Sequence, residues 1–373
     1  MHFNYIPINH EIDKLQDYLD FLFFEVWINA EGVFNSELLR ANEELFEIYE
    51  VLEVQDSEWG NFFNSRIASI YNEFAGVDAD FKNTLRDSYI ANNNIEGLCS
   101  NKEIIPITYQ DINARYPKLA AILKEFYSRI YGSKSPFNLK VFGFLNETLL
   151  QDYDTEFMKI NGKEICPFCG INFLKGNNHT YREAYDHFIP KGIYPFNAIN
   201  FKNLAPMCHE CNSTYKLTKK PIYNNDVHNI NPIEREAERS FSFYPYSANE
   251  IQLNFQINLK TNKIDEMTPN DIDLIIEAEN NDEQIDSWKR VFGLEERYKA
   301  LLCSPSAGKD WYNSIMDEYL NAEELSDIKG ADQYYEVILK DAKRNLISGH
   351  GFIKSVFLEE CKNKGVFEKK ENI

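Results

Sequence analysis

Apolar residues recur every three or four positions through most of the first 155 residues, which is the pattern of amphipathic helices. One helical stripe between positions 10 and 30 carries Ile12, Leu15, Tyr18, Leu19, Leu22 and Val26. A second stripe runs through positions 34–54, where Ser36 is the expected N-cap. We expect these stripes to form one helical core. A nucleic-acid channel is the alternative, and the acidity of the segment disfavours it.

Helical patterns continue up to the first cysteine pair. Within positions 108–132, Pro117 is expected to kink or split the helix, and Thr108 with Asp111 is typical of a helix cap. Positions 144–160 again follow a helical pattern, so the chain is expected to reach that cysteine pair as a helix.

Strand patterns follow further along the chain. Positions 241–246 and 251–259 are rich in aromatic and β-branched residues, and the second segment alternates strictly between apolar and polar positions. The KTNK turn after it predicts a small β-hairpin. From Thr268, with Pro269 at the favoured first helical position, we expect the chain to return to helices.

These patterns predict a mainly helical protein of the α+β class in three consecutive parts. The expected parts are an N-terminal helical domain over 1–155, a central domain with the hairpin over 156–262, and a C-terminal helical region over 263–373. No stretch approaches the roughly 18 apolar residues that suggest a membrane helix, and no signal peptide is visible. We therefore expect a cytoplasmic protein with no membrane partner.

Four of the seven cysteines form two CxxC pairs that are separated by 38 residues. This is the ligand set of a closed tetrahedral zinc site. Four unrelated buried cysteines are the alternative, and their paired spacing disfavours it. We predict a structural Zn²⁺ that joins the ends of a sizeable insert; its ligands are Cys166, Cys169, Cys208 and Cys211.

Residues 166–220 resemble the HNH endonuclease family, whose core is a ββα-metal finger. The matching segments are CPFCG, YDHFIPK and NLAPMCHECN, in that order, with a lysine four residues further on. The form DHFIPKGIYP is most similar to HNH nucleases of bacterial anti-phage defence systems such as Septu. The resemblance covers 55 of 373 residues and implies a central ββα-metal finger held together by the four-cysteine zinc site.

Asp186 and His187 have the chemistry that phosphodiester hydrolysis requires. A carboxylate oxygen suits a catalytic Mg²⁺ or Mn²⁺, and an imidazole suits a general base. Because neighbouring strand residues face opposite ways, Asp186 can hold the metal while His187 activates water. The resemblance implies that Asn203 braces the loop bearing the histidine. It also implies that Asn212 is a second metal ligand, where many family members have histidine.

Basic residues concentrate in this stretch, although the chain has a net charge of −20. Residues 163–220 contain eight Lys/Arg against four Asp/Glu, which gives +4 there and leaves −24 elsewhere. We predict that Lys216, Lys219 and Lys220 share one helix face and, with Lys191, contact phosphate. Solvated surface charges are the alternative. We expect weak DNA binding by the isolated chain and a partner such as an ATPase or sensor protein.

The leading hypothesis is a metal-dependent HNH endonuclease that hydrolyses phosphodiester bonds in DNA, in bacterial anti-phage defence and under the control of a partner. One alternative is a zinc-knuckle module that binds nucleic acid without cleaving it. Another is an interaction subunit whose nuclease stays silent until the partner binds. DNA is favoured over RNA because the family mostly cuts DNA, and the defence role rests on the resemblance.

Overall fold

Two structural units interleave along the sequence. The computed structural model describes residues 1–132, 134–142, 151–176, 178–180, 183–225, 232–325 and 328–367. The larger unit comprises Asn4–Glu164 and Lys175–Ala248, and the smaller unit comprises Met1–Phe3, Ile165–Leu174 and Asn249–Ile373. The three consecutive domains expected from the sequence stay a prediction. Of the helix expected over 144–160, residues 144–150 lie outside the described residues.

Helices make up most of the larger unit. Its α-helices are α1 (Lys14–Phe21), α2 (Glu43–Gln55), α3 (Glu58–Phe74), α4 (Ala79–Asn93), α5 (Ile95–Ser100), α6 (Tyr109–Arg115), α7 (Pro117–Arg129), α8 (Gln151–Asn161) and α9 (Pro232–Ala237). A π-helical turn over Leu22–Trp27 continues α1. Helix α7 begins at Pro117, as the sequence predicts, because proline lacks the amide hydrogen that an interior helical position would need.

Aromatic side chains from these helices form a core that also contains Phe196, a residue of the loop between β1 (Tyr185–His187) and β2 (Leu204–Pro206). Phe23 stacks on Tyr89 with ring centroids 4.2 Å apart. Phe196 lies against both rings, at 5.3 Å and 5.0 Å, and also against Tyr127. In addition, Asn92 donates a hydrogen bond to the carbonyl of Pro195. The loop around Phe196 is therefore anchored in the helical core.

Two helix caps were tested by the structure. Thr108 and Asp111 form the predicted capping box at the start of α6. Ser36 is not an N-cap: Asn35 caps a 3₁₀ helix over Ser36–Ala41, and Asn42 caps α2. Each asparagine side chain accepts a hydrogen bond from a backbone amide two or three residues further on, which a serine inside the turn does not do.

The larger unit also contains a short antiparallel hairpin. It consists of β1 (Tyr185–His187) and β2 (Leu204–Pro206), and a π-helical turn over Cys211–Lys216 follows it. Residues 241–246 are not a strand, contrary to the prediction. Pro245 has no amide hydrogen to donate, and the hydroxyls of Tyr244 and Tyr246 donate to the carbonyls of Lys202 and Leu204.

The smaller unit combines a second hairpin with helices. It contains β3 (Asn254–Leu259), β4 (Ile272–Glu277), α10 (Asp282–Phe292), α11 (Leu294–Cys303), α12 (Gly308–Leu325), α13 (Ile328–Arg344) and α14 (Gly351–Asn363). Inside this unit, the Trp288 indole donates to the carbonyl of Phe168 at 2.7 Å, and Tyr298 donates to the carbonyl of Cys169. These bonds fix the backbone around the first cysteine pair.

The predicted hairpin exists, but its second strand was predicted as a helix. Strand β3 pairs with β4, so the hairpin continues past residue 262. Thr268 and Asp271 do form a capping box with Pro269 inside it, but only a 3₁₀ turn follows. The residues after that turn alternate between buried and exposed, and pairing with β3 buries their apolar face.

The mainly helical α+β class is confirmed, with two small two-stranded sheets. Among the described residues, no helix is both long enough and apolar enough to cross a membrane.

Adjacent isoleucines in β4 test the strand assignment. Ile276 is 5% exposed and Ile275 is 39% exposed. We expect Ile276→Thr to lower the free energy of unfolding by about 1–3 kcal/mol, because it buries a hydroxyl and removes apolar contact. Ile275→Thr is the matched control, with a change within about 0.5 kcal/mol. Urea unfolding followed by circular dichroism measures both; equal losses would contradict the strand register.

Candidate metal centre and active site

The four cysteines of the two CxxC pairs lie together. The sulfur atoms of Cys166, Cys169, Cys208 and Cys211 are all within 4.8 Å of one another, and all four residues are buried. Sulfurs around a tetrahedral Zn²⁺ at about 2.3 Å would be about 3.8 Å apart. The cluster therefore has the donor set and the proximity to hold a metal ion such as zinc, as the spacing predicts.

The backbone of each cysteine pair has the form of a metal-binding knuckle. The amide of Ile171 points to the Cys169 sulfur at 3.5 Å, and the amide of Cys211 points to the Cys208 sulfur at 3.4 Å. Gly170 has a φ of +64°, a conformation that a Cβ would strain. Amide hydrogens directed at sulfur stabilise the thiolate form, which is the form that binds metal.

The short hairpin places Asp186 and His187 side by side on β1. In the antiparallel register, Asp186 lies opposite Ala205 and His187 lies opposite Leu204. His187 is buried, whereas Asp186 keeps partial access to solvent. The two side chains thus have different surroundings, although they are neighbours in the sequence.

Asn203 closes the loop that follows His187. Its side-chain oxygen accepts from the amide of Ile189 at 2.7 Å, and its side-chain nitrogen donates to the carbonyl of the same residue at 2.9 Å. Its own carbonyl accepts from the amide of Phe188 at 2.8 Å. Asn203 is completely buried, so these bonds form without competition from water. These bonds join the loop that follows His187 to the residue that precedes β2.

The imidazole of His187 is held by one hydrogen bond and one aromatic contact. Its Nε2 lies 2.7 Å from the carbonyl oxygen of Ala198, which requires Nε2 to carry the hydrogen. Tyr131 packs edge-on against the ring, with centroids 4.6 Å apart. Burial, together with the positive charges of Lys191 and Lys216, lowers the pKa of His187 to about 3. The ring is therefore neutral near pH 7.

Asp186 forms an internal ion pair with Lys216. The Lys216 ammonium is 2.5 Å from Oδ2 of Asp186 and donates to the carbonyl of His187 at 2.8 Å. The Lys216 side chain is 0% exposed and that of Asp186 is 14% exposed. Burial raises the pKa of Asp186, and the Lys216 charge opposes this rise without cancelling it.

Asn212 stands in the same π-helical turn as Lys216. The amide of Leu217 bonds to the carbonyl of Asn212, which closes the wide turn. The Asn212 side chain is half-buried and forms no hydrogen bond with the described residues. Its amide oxygen is thus an available ligand within one turn of the residue that pairs with Asp186.

The predicted lysine face is wrong. The π-helical turn ends at Lys216, so Lys219 and Lys220 lie beyond it and do not continue its surface. Lys220 is also buried, with its ammonium 5.2 Å from the ring centroid of Tyr223, and Lys219 is half-buried. Lys216 and Lys220 are therefore not surface groups that a phosphate can reach.

Lys191 contacts Tyr131, the aromatic residue that packs against His187. Its ammonium donates to the carbonyl of Ser128 at 3.2 Å and lies 4.7 Å from the Tyr131 ring centroid. Burial lowers the pKa of Lys191 to about 8, so the group is still mainly charged near pH 7. Sequence reasoning missed Tyr131, because nothing in its local pattern indicates contact with a residue 56 positions away.

Part of the chain is similar to the Septu protein PtuB of Bacillus thuringiensis, with 35% identity over 65 residues. The similarity covers 17% of this chain and 24% of PtuB, so the chain spans about a quarter of the length of that relative. No protein-family model matches the chain, and no solved structure matches it. The comparisons link this chain to a Septu protein over a limited segment.

Replacement of one clustered cysteine tests the metal site. We expect Cys208→Ser to reduce bound zinc from one ion per chain to a small fraction, because a hydroxyl is a much poorer zinc ligand than a thiolate. Cys303→Ser is the matched control, since Cys303 lies outside the cluster and is half-buried. Metal content by mass spectrometry and melting temperature measure both variants. Equal zinc in the two would exclude the assignment.

Proposed function

We propose that this protein is a metal-dependent endonuclease of the HNH type that hydrolyses phosphodiester bonds in DNA. The observation that carries the proposal is the fixed imidazole of His187, which directly follows Asp186 on strand β1. The hydrogen bond from Nε2 to Ala198 leaves Nδ1 as the nitrogen with a lone pair. A fixed neutral imidazole and a carboxylate on consecutive residues of one short hairpin strand are groups suited to hydrolysis of a phosphodiester.

His187 is the general base in this proposal. Nδ1 forms no hydrogen bond with the described residues, so its lone pair is available to accept a hydrogen bond from a water molecule. The low pKa keeps the ring unprotonated before substrate binds. A phosphate placed beside the ring would favour the imidazolium form and raise this pKa during proton transfer.

Asp186 and Asn212 are the proposed ligands of a catalytic Mg²⁺ or Mn²⁺. The position attracts a cation, because the Lys216 ammonium already lies against the Asp186 carboxylate. Carboxylate and amide oxygens are the donors that these hard ions prefer. When bound, such an ion would supply positive charge to the phosphate and to the departing oxygen. Asn203 would keep the loop of the general base in place through its bonds to Ile189.

Lys191 and Lys219 are the proposed phosphate contacts. Both are half-buried, and Lys191 lies next to the Tyr131 ring that covers His187. A charged group in that position can neutralise a phosphate near the general base. Lys216 and Lys220 are not among these proposed contacts, because both are buried.

We also propose a role in anti-phage defence together with a partner protein. The similarity to Septu protein PtuB supports the defence role. The partner is supported by the net charge of −20, which opposes unaided DNA binding, and by the closed surroundings of Asp186 and His187. A non-cleaving interaction subunit is the second candidate, and the buried Lys216–Asp186 pair is the observation that favours it.

A plasmid-nicking assay tests the endonuclease. We expect cleavage in Mg²⁺ or Mn²⁺ and none in EDTA, and His187→Ala should reduce the rate by about 10²-fold or more because it removes the general base. His209→Ala is the matched control, since His209 is an exposed histidine of the second cysteine pair. Cleavage by His187→Ala at the wild-type rate would refute the mechanism. DNA binding without hydrolysis in either metal would favour the second candidate.

Charge removal tests the phosphate contacts. We expect the double variant Lys191→Gln/Lys219→Gln to weaken DNA binding and to reduce the salt slope by about one unit per lost contact. Lys118→Gln removes an exposed lysine at the start of α7 and should leave the slope unchanged. Fluorescence anisotropy at several salt concentrations provides the measurement. An unchanged slope in the double variant would exclude both residues.

A further inference from the structure

The buried ammonium of Lys216 lies against the carboxylate of Asp186, the proposed ligand of a catalytic metal ion. It is 2.5 Å from Oδ2 of Asp186 and 2.8 Å from the carbonyl oxygen of His187. The side chain is completely buried, so this charge is not shared with solvent. Lysine and a divalent ion are both cations, and they cannot share one carboxylate oxygen at contact distance without strong repulsion.

The backbone directly after Lys216 has an unusual conformation. Lys216 is the last residue of the π-helical turn, and Leu217 follows it with a φ of +48° and a ψ of −118°. Residues other than glycine rarely adopt positive φ, and such conformations persist only where their surroundings enforce them. Leu217 is also 57% exposed, so little packing resists its movement. The residue that directly follows Lys216 therefore has a strained backbone and an exposed side chain.

We propose that Lys216 is an internal counter-ion that competes with the catalytic metal for Asp186. In the metal-free protein its ammonium neutralises the carboxylate and holds the centre closed. Binding of Mg²⁺ or Mn²⁺ displaces the ammonium from the Asp186 carboxylate. Any other movement that withdraws Lys216 exposes the same carboxylate to a metal ion. The inference rests on the proposed function, because it assumes that the metal binds at Asp186.

Direct measurement of Mn²⁺ binding tests this competition. Free Mn²⁺ is followed by electron paramagnetic resonance in wild type, Lys216→Met and Asp186→Asn. We expect Lys216→Met to bind Mn²⁺ about tenfold more tightly than wild type, a typical coupling between two competing ligands. Lys220→Met is the matched control, because it also removes a buried lysine, and its affinity should equal that of wild type. Asp186→Asn should abolish the binding.

The outcomes separate this inference from the proposed function. Equal affinity in wild type and Lys216→Met, with loss in Asp186→Asn, would overturn the competition while leaving the metal at Asp186. Binding that is insensitive to Asp186→Asn would overturn both. Zinc content and circular dichroism of each variant show whether it has folded.

Chemical labelling of the wild-type protein gives a second test that does not depend on the stability of Lys216→Met. Acetylation of lysine side chains, followed by peptide mass spectrometry, measures their accessibility. We expect Lys216 to be protected without metal and to become reactive in Mn²⁺, while Lys220 stays protected in both. Protection of Lys216 at saturating Mn²⁺ would overturn the inference.

Discussion

The paired hydrogen bonds between the Asn203 side chain and the backbone of Ile189 are the interaction on which the rest of the candidate site depends. They hold the chain immediately after His187 against the start of β2. The side-chain nitrogen also lies 3.4 Å from the carbonyl of Asn197, next to the Ala198 carbonyl that receives the His187 hydrogen bond. Loss of the amide would leave the buried backbone groups of Ile189 unpaired and would loosen the chain on both sides of the imidazole, after His187 and before Ala198.

Burial gives the centre its electrostatic character. His187 stays neutral because its surroundings disfavour a charge, and Asp186 can remain ionised because an ammonium accompanies it. The same burial shields the ion pair between Asp186 and Lys216 from solvent. A divalent ion or a phosphate can enter only if the side chains that now satisfy these groups move.

The net charge of the chain matters little for the cysteine cluster but opposes the proposed hydrolytic centre. A metal ion in the cluster would be held by thiolates, and backbone amides of the same two CxxC segments point to those sulfurs. The proposed hydrolytic centre would have to attract a polyanion to a protein with a net charge of −20. A local excess of lysines around it addresses this problem only at short range, because solvent and salt screen surface charges over about 10 Å. This physical limit, together with the partial similarity to a Septu protein, is the basis for proposing a partner.

The sequence by itself determined the features that depend on local spacing. Paired cysteines predicted the cluster, and the stripes and the Thr108 cap predicted helices, because helix geometry repeats over a few residues. Only the tertiary structure decided how distant segments meet. The strand over Ile272–Glu277 carried a helical start signal, but pairing with β3 buried its apolar face. The π-helical turn directed Lys216 inward to Asp186, and Tyr131 came to lie on His187 from 56 residues away. Pairing and burial depend on the complete set of neighbours, which no local pattern contains.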